Sequence, residues 1–298
     1  MDSNDIKTIS IVGAGQMGSG IAQLCAGNGY AVQLSDVTLD RAHASKQKIA
    51  DVLAAQVKKG KFDEGARTEL LERIRPVGTW EDIDRADLVV EATTEDPEAK
   101  MAVFAEADSK MRPGAILASN TSSISITRLA GKTQRPELVI GMHFMNPVPL
   151  MKLVEIICGV QTSAETTEAA RELATRLGKT VITSKDQPGF MINRMLIPFL
   201  NEACFALQEG LGTPEDIDLG AKLGLNHPMG PLELADFIGL DTVLSIAEVL
   251  HGEFGDDKYR PATLLRNLVA AGWFGRKVGR GFYVYDAKGQ KTGRAFER

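Results

Sequence analysis

Six residues near the N-terminus, Gly13-Ala14-Gly15-Gln16-Met17-Gly18, restrict the fold of this chain more than any other stretch. They fit the spacing G-x-G-x-x-G. The β-branched residues Ile9, Ile11 and Val12 precede them. Ile21, Leu24 and Cys25 follow at helical spacing, until Gly27 and Gly29 stop the helix. Ala31-Val32-Gln33-Leu34 then reads as a second strand that ends at Ser35-Asp36. In such a strand–turn–helix–strand unit the first glycine permits a tight turn. The second lets a pyrophosphate approach the backbone, and the third lets helix and strand pack closely, with phosphates at the positive helix N-terminus. The spacing alone is weak, since glycine turns also serve for chain reversal. The acidic residue closing the next strand makes it specific. The loop positions Gly13, Gly15, Gln16, Met17 and Gly18 are therefore expected to bind a dinucleotide. Asp36 is expected to accept hydrogen bonds from the adenosine ribose and to repel a 2′-phosphate, which points to NAD over NADP.

The 298 residues suffice for about two domains. A net charge of −5 argues against a nucleic-acid-binding surface. No apolar run approaches the roughly 20 residues of a membrane helix. The start, MDSNDIK, lacks the pattern of a secretory signal or transit peptide. Cys25, Cys158 and Cys204 are odd in number and lack metal-like spacing, so they read as reduced thiols of a cytoplasmic protein that holds no metal.

Residues 40–75 read as two amphipathic helices broken near Lys59-Gly60-Lys61, an insertion beyond a minimal βαβ unit. Lys58, Lys59 and Lys61 form either a solvated turn or a grip on a phosphate-bearing substrate tail. Strands are expected at 87–92, 115–119 and 138–141, with a helix from Pro97 to about Met111. Strands alternating with helices imply a doubly wound, mostly parallel sheet, with ligands at the C-terminal strand ends. Glu95, Ser122 and His143 all follow strand ends, which places them toward one cleft.

His143 sits among apolar residues, and Glu155 interrupts the run Leu153-Val154-Glu155-Ile156-Ile157. Either group is costly to bury alone. Together they make an acid–base device: a carboxylate on one imidazole nitrogen fixes the tautomer and raises the basicity of the other. A hydride-transfer enzyme that oxidises an alcohol needs such a base. The alternatives are a satisfied core histidine and an exposed edge-strand glutamate.

Four blocks, ASNTSSISIT (118–127), GMHFMNPVPLMKLVEII (141–157), DQPGFMINRMLIPFLNEA (186–203) and LNHPMGPLELADFIGLD (225–241), resemble the L-3-hydroxyacyl-CoA dehydrogenases. They resemble in particular the shorter bacterial type that acts on 3-hydroxybutyryl-CoA. The resemblance spans nearly the whole chain. It implies that His143 is the general base and Glu155 its paired carboxylate. It implies further that Ser122 and Asn193 lie near the substrate's 3-oxygen and the nicotinamide. Glu95, Lys100 and Asn146 match positions that line the cofactor, and Lys59 matches a CoA-phosphate contact. Ala55 stands where some relatives carry another basic residue, and Phe144-Met145 where many have Phe-Phe.

After Asp186-Gln187-Pro188-Gly189 the strand signal fades, which divides the chain into an NAD-binding domain (1–187) and a helical substrate and dimerisation domain (188–298). Helices are expected at about 190–210, 214–223, 231–251 with a break near Gly239, and 261–271. His227 lies in a rigid turn and reads as structural. The aromatic, basic segment GWFGRKVGRGFYVYD is either an active-site cover or packed against the helices. The resemblance implies a homodimer through the helical domain. The expected activity is NAD-dependent interconversion of (S)-3-hydroxyacyl-CoA and 3-oxoacyl-CoA, with short chains such as 3-hydroxybutyryl and a role in fatty-acid or butanoate metabolism. A dehydrogenase for a free 3-hydroxy acid and a non-catalytic NAD-binding relative are the alternatives.

Overall fold

The computed structural model describes residues 5–78 and 80–295. It divides into two compact units, Met1–Gln187 and Pro188–Arg298. The first runs β1 (Thr8–Val12), α1 (Gln16–Gly27), β2 (Ala31–Ser35), α2 (Leu39–Lys58), α3 (Glu64–Arg73), β3 (Ile74–Val77), β4 (Leu88–Glu91) and α4 (Pro97–Lys110). It continues through β5 (Ile116–Ser119), α5 (Ile126–Ala130), β6 (Val139–Phe144), β7 (Leu153–Cys158), α6 (Ala164–Arg176) and β8 (Thr180–Lys185). All eight strands form one sheet in the order β3-β2-β1-β4-β5-β6-β7-β8.

The central strands β1, β4, β5 and β6 are short apolar runs buried on both faces, as a sheet covered by helices on each side requires, while the outer strands β3 and β8 are only partly buried. Helix starts are set by side chains that accept otherwise orphaned N–H groups: Thr38 opens α2, Asp63 opens α3, Asp96 with Pro97 opens α4, and Ser163 opens α6. Strands β1 to β6 pair in parallel. The link from β6 to β7 spans only residues 145–152, too short for a crossover helix, so β7 returns antiparallel to β6. Helix α6 then carries the chain over to β8, parallel to β7. The C-terminal ends of β1 to β6 and the N-terminal ends of β7 and β8 therefore form one edge.

The second unit comprises α7 (Ile192–Gln208), α8 (Pro214–Leu219), a π-turn at Gly220–Gly224, α9 (Pro231–Ile238), α10 (Leu240–Phe254) and α11 (Thr263–Ala270). A hairpin of β9 (Tyr283–Tyr285) and β10 (Lys291–Arg294) closes it. The break expected near Gly239 separates α9 from α10. Its core joins Leu200, Leu232, Val243, Leu250 and Leu265 to Phe282 and Tyr283. The aromatic tail is thus packed into the helical core. Two buried carboxylates anchor it. Asp236 accepts the N–H groups of Phe282 and Tyr283, both at 2.9 Å, and the Tyr285 hydroxyl at 3.0 Å. Asp218 accepts the Tyr283 hydroxyl at 2.7 Å and the N–H groups of Leu232 and Glu233. His227 packs its ring against Phe199, with centroids 5.0 Å apart.

Candidate active site

The glycine loop between β1 and α1 is fixed by close contacts. Gly13 has φ +106°, and a Cβ there would stand 2.5 Å from the Ala92 carbonyl oxygen. A Cβ on Gly18 would stand 1.7 Å from the Gly13 oxygen, so α1 lies on β1 only because this residue has no side chain. Gly15 differs. A Cβ there would meet no protein atom within 4 Å. Gly15 also opens α1 without a side-chain cap, and the first turn holds no acidic residue. Uncapped helix N–H groups with no acidic residue in the first turn suit an entering pyrophosphate. The loop therefore fits a dinucleotide. Met17 packs on the core beneath it, and Gln16 donates from Nε2 to Asn146 Oδ1 at 3.2 Å.

Asp36 follows β2 and is 9% exposed. Its Oδ2 accepts the Ala14 N–H at 2.8 Å, and its Oδ1 accepts the Val37 N–H at 2.8 Å. The Asp36 carboxylate thus braces the glycine loop.

Glu95 and Ser122 are in direct contact. Glu95 Oε1 accepts the Thr121 hydroxyl at 2.6 Å, the Ser122 and Ser123 N–H groups at 2.8 and 3.1 Å, and the Ser122 hydroxyl at 3.1 Å. Burial raises the Glu95 pKa, but the Lys100 charge and the bonds from Thr121 and Ser122 outweigh it, so the carboxyl is held below the usual range.

Lys100 is 1% exposed and reaches Glu95 only from behind, at 3.5 Å. Its ammonium sits 2.7 and 2.9 Å from the two oxygens of Glu91, a residue the sequence reading passed over. Glu91 is fully buried. It also accepts the Thr93 N–H and hydroxyl, both at 2.6 Å, and the Ser119 hydroxyl at 2.6 Å. The reasoning that singles out Glu155 applies equally to Glu91, a carboxylate at the end of the apolar run Leu88-Val89-Val90. Asn120 is a second unremarked residue. Its Oδ1 accepts the Phe144 N–H at 3.0 Å and ties the end of β5 to β6.

His143 and Glu155 are register partners across the antiparallel β6–β7 pair. Their side chains therefore leave the sheet on the same face. His143 Nδ1 lies 3.1 Å from Glu155 Oε2. Glu155 is fully buried, which removes the exposed edge-strand alternative; His143 is 8% exposed and paired, a state that a satisfied core histidine shares with a catalytic one.

The remaining expected residues lie apart from this edge or in the other unit. Lys59 caps the C-terminus of α2 and is exposed, as are Lys58 and Lys61. Asn193 lies in the first turn of α7 and is 7% exposed. Among the described residues no cluster of three or more His, Cys, Asp or Glu is arranged to hold a metal, and no helix is long and apolar enough to cross a membrane.

The glycine loop, Asp36 and the imidazole–carboxylate pair share the edge at which doubly wound sheets bind nucleotides, and this combination defines an NAD-binding dehydrogenase. Residues 8–187 match the NAD-binding domain of 3-hydroxyacyl-CoA dehydrogenase, and residues 189–285 match its C-terminal domain. The chain belongs to the 3-hydroxyacyl-CoA dehydrogenase family, and its cofactor is NAD. A probable 3-hydroxybutyryl-CoA dehydrogenase of Bacillus subtilis is 52% identical over 284 residues, covering 95% of this chain and 99% of the relative. A 3-hydroxybutyryl-CoA dehydrogenase of Bradyrhizobium diazoefficiens is 52% identical over 280 residues, covering 94% and 96%. The crystal structure of (S)-3-hydroxybutyryl-CoA dehydrogenase from Ralstonia eutropha superposes with a TM-score of 0.92 at 50% identity, covering 95% of this chain and all of that one.

Proposed function

We propose that the chain oxidises (S)-3-hydroxybutyryl-CoA and related short (S)-3-hydroxyacyl-CoA thioesters to the 3-oxoacyl-CoA, and catalyses the reverse. The observation that carries this reading is the His143–Glu155 contact. With Nδ1–H directed to the Glu155 carboxylate, Nε2 is the ring atom that takes the substrate's hydroxyl proton. The carboxylate then steadies the imidazolium that results. When bound, NAD supplies the hydride acceptor for the carbon that carries this hydroxyl.

Ser122 has a single hydroxyl proton, which points to Glu95 in this structure. In the proposed reaction that proton turns to the substrate's 3-oxygen, where charge develops in the reductive direction. Asn193 enters the reading by resemblance, as another donor to substrate. Lys59 enters it as a contact for a CoA phosphate, with its exposed ammonium in its favour. Exposed apolar side chains in the helical unit, among them Leu211, Leu219, Leu223 and Leu225, support a homodimer formed through that unit. We place the enzyme in the cytoplasm.

The test compares turnover of (S)-3-hydroxybutyryl-CoA with that of free 3-hydroxybutyrate, both with NAD and followed at the NADH absorbance band. The reading expects kcat/KM for the thioester to exceed that for the free acid by about a hundredfold or more, equivalent to a few kcal/mol of binding through the CoA portion. Equal values would favour a free hydroxy-acid dehydrogenase. Absence of turnover with both would favour a non-catalytic NAD-binding protein. Light scattering on the purified chain tests the dimer.

A further inference from the structure

Residues 145–152, which return the chain from β6 to β7, are held on their inner side by a buried cation. Lys179 stands just before β8 and is 8% exposed. Its ammonium donates to the carbonyl oxygens of Val148 and Met151, both at 2.7 Å. Among the described residues no carboxylate pairs with it. An ammonium buried without a counter-ion is costly, and desolvation lowers the Lys179 pKa. The two carbonyls stand three residues apart, so one ammonium closes the turn from both ends. The N–H groups of Leu150 and Met151 close it again, each donating to the Pro147 carbonyl at 3.0 Å. Val148 fixes the turn to α1: it is buried, and a Cβ on Gly20 would stand 2.9 Å from the Val148 Cβ. Asn146 heads the same turn, where its Oδ1 accepts from Gln16 at the start of α1.

We propose that Lys179 is a positioning residue: by fixing the turn from Pro147 to Met151 it presets where Asn146 stands for the coenzyme. This rests on the reading of Asn146 as a coenzyme contact. A side chain already held in place meets its ligand without first losing conformational freedom, so the anchor contributes to affinity. The His143–Glu155 pair is fixed separately, by its register across β6 and β7. Loss of the Lys179 ammonium therefore weakens coenzyme binding more than it slows the chemical step.

The experiment uses the whole chain in five forms: wild type, Lys179→Met, Lys179→Gln, Asn146→Ala and the double variant Lys179→Met/Asn146→Ala. Fluorescence titration reads NADH affinity, and steady-state assays with (S)-3-hydroxybutyryl-CoA and NAD read kcat and KM. Lys179→Met is expected to weaken NADH binding and raise KM for NAD by about tenfold, with kcat within about threefold of wild type. Lys179→Gln keeps two N–H donors without the charge and should recover part of the affinity. If Lys179→Met does not fold, Lys179→Gln takes its place in the cycle. Asn146→Ala should weaken NADH binding to a similar extent. Adding Lys179→Met to it should cost less than about twofold more, because the anchor then has no contact to place. Losses that multiply in full in the double variant would overturn the proposal, as would wild-type NADH affinity in Lys179→Met or a fall in kcat alone. If Asn146→Ala binds NADH as tightly as wild type, the coenzyme reading of Asn146 is itself wrong and the Lys179 proposal falls with it.

Discussion

Lys100 holds Glu91 through both carboxylate oxygens, at 2.7 and 2.9 Å, in a position where neither side chain reaches solvent. The pair joins α4 to the end of β4, and Ser119 extends it to β5. It stands directly beneath Glu95 and the Ser122 turn. Breaking such a pair from one side strands a buried charge. Lys100→Met is expected to lower stability by about 3–5 kcal/mol in urea denaturation. Glu91→Gln/Lys100→Met should recover part of that loss. It should still show a raised KM for NAD, because Glu95 loses the cation behind it. A double variant with wild-type KM would separate the pair from the cofactor.

The glycine loop separates folding from binding. Gly15→Ala adds a methyl group where no protein atom lies within 4 Å, in an extended conformation open to any residue. Its stability should stay within about 1 kcal/mol of wild type. Its affinity for NADH, measured by fluorescence titration, should fall about tenfold or more, because the methyl occupies the pyrophosphate's approach. Gly18→Ala should do the reverse. Its Cβ meets the Gly13 oxygen at 1.7 Å, so the cost falls on the fold, at or above the roughly 1–3 kcal/mol of ordinary overpacking. Equal stability losses in both variants would contradict this division.

These contrasts also indicate what the sequence could reveal. The glycine loop, Asp36 and the β-branched strands carry local signals, so the start of the sheet and its nucleotide edge were legible. The pairing of His143 with Glu155 was legible because burial makes an isolated charge expensive, and two such charges on neighbouring apolar strands have few other partners. Direction was legible there too, through length alone: the link 145–152 is too short for a crossover helix, which leaves β7 an antiparallel return against β6. Strand β8 and helix α6 went unread. β8 is polar and only partly buried, and α6 rests on alanines with a weak apolar stripe. The pairing of Lys100 was hidden for a different reason. Its partner Glu91 is set by how β4, β5 and α4 come together, which spacing along the chain does not encode. The hairpin at the C-terminus depends on Asp218 and Asp236, whose hydrogen bonds span 46 to 65 residues.

Asp236 makes the helical unit sensitive to pH. Burial pushes its carboxyl up to about 6, Asp218 nearby adds to the rise, and bonds from Phe282, Tyr283 and Tyr285 pull it partly back. The folded chain therefore keeps this proton between about pH 4 and 6, where the unfolded chain has released it. Its contribution to stability grows as pH falls through that window and is lost as pH rises through about 6. Relative to Asp236→Asn, the wild type should gain about 2 kcal/mol between about pH 7.5 and pH 4.5 in denaturant titrations. A difference between the two proteins that stays flat across this range would contradict the assignment.

The account stands most directly on the turnover number of His143→Gln with saturating (S)-3-hydroxybutyryl-CoA and NAD, measured alongside NADH affinity. The substitution removes the nitrogen that accepts the proton and leaves the glycine loop and Asp36 untouched. The expected result is a fall in kcat of about two to four orders of magnitude, with NADH binding retained. A variant that turns over at close to the wild-type rate would show that the imidazole beside Glu155 is not the base.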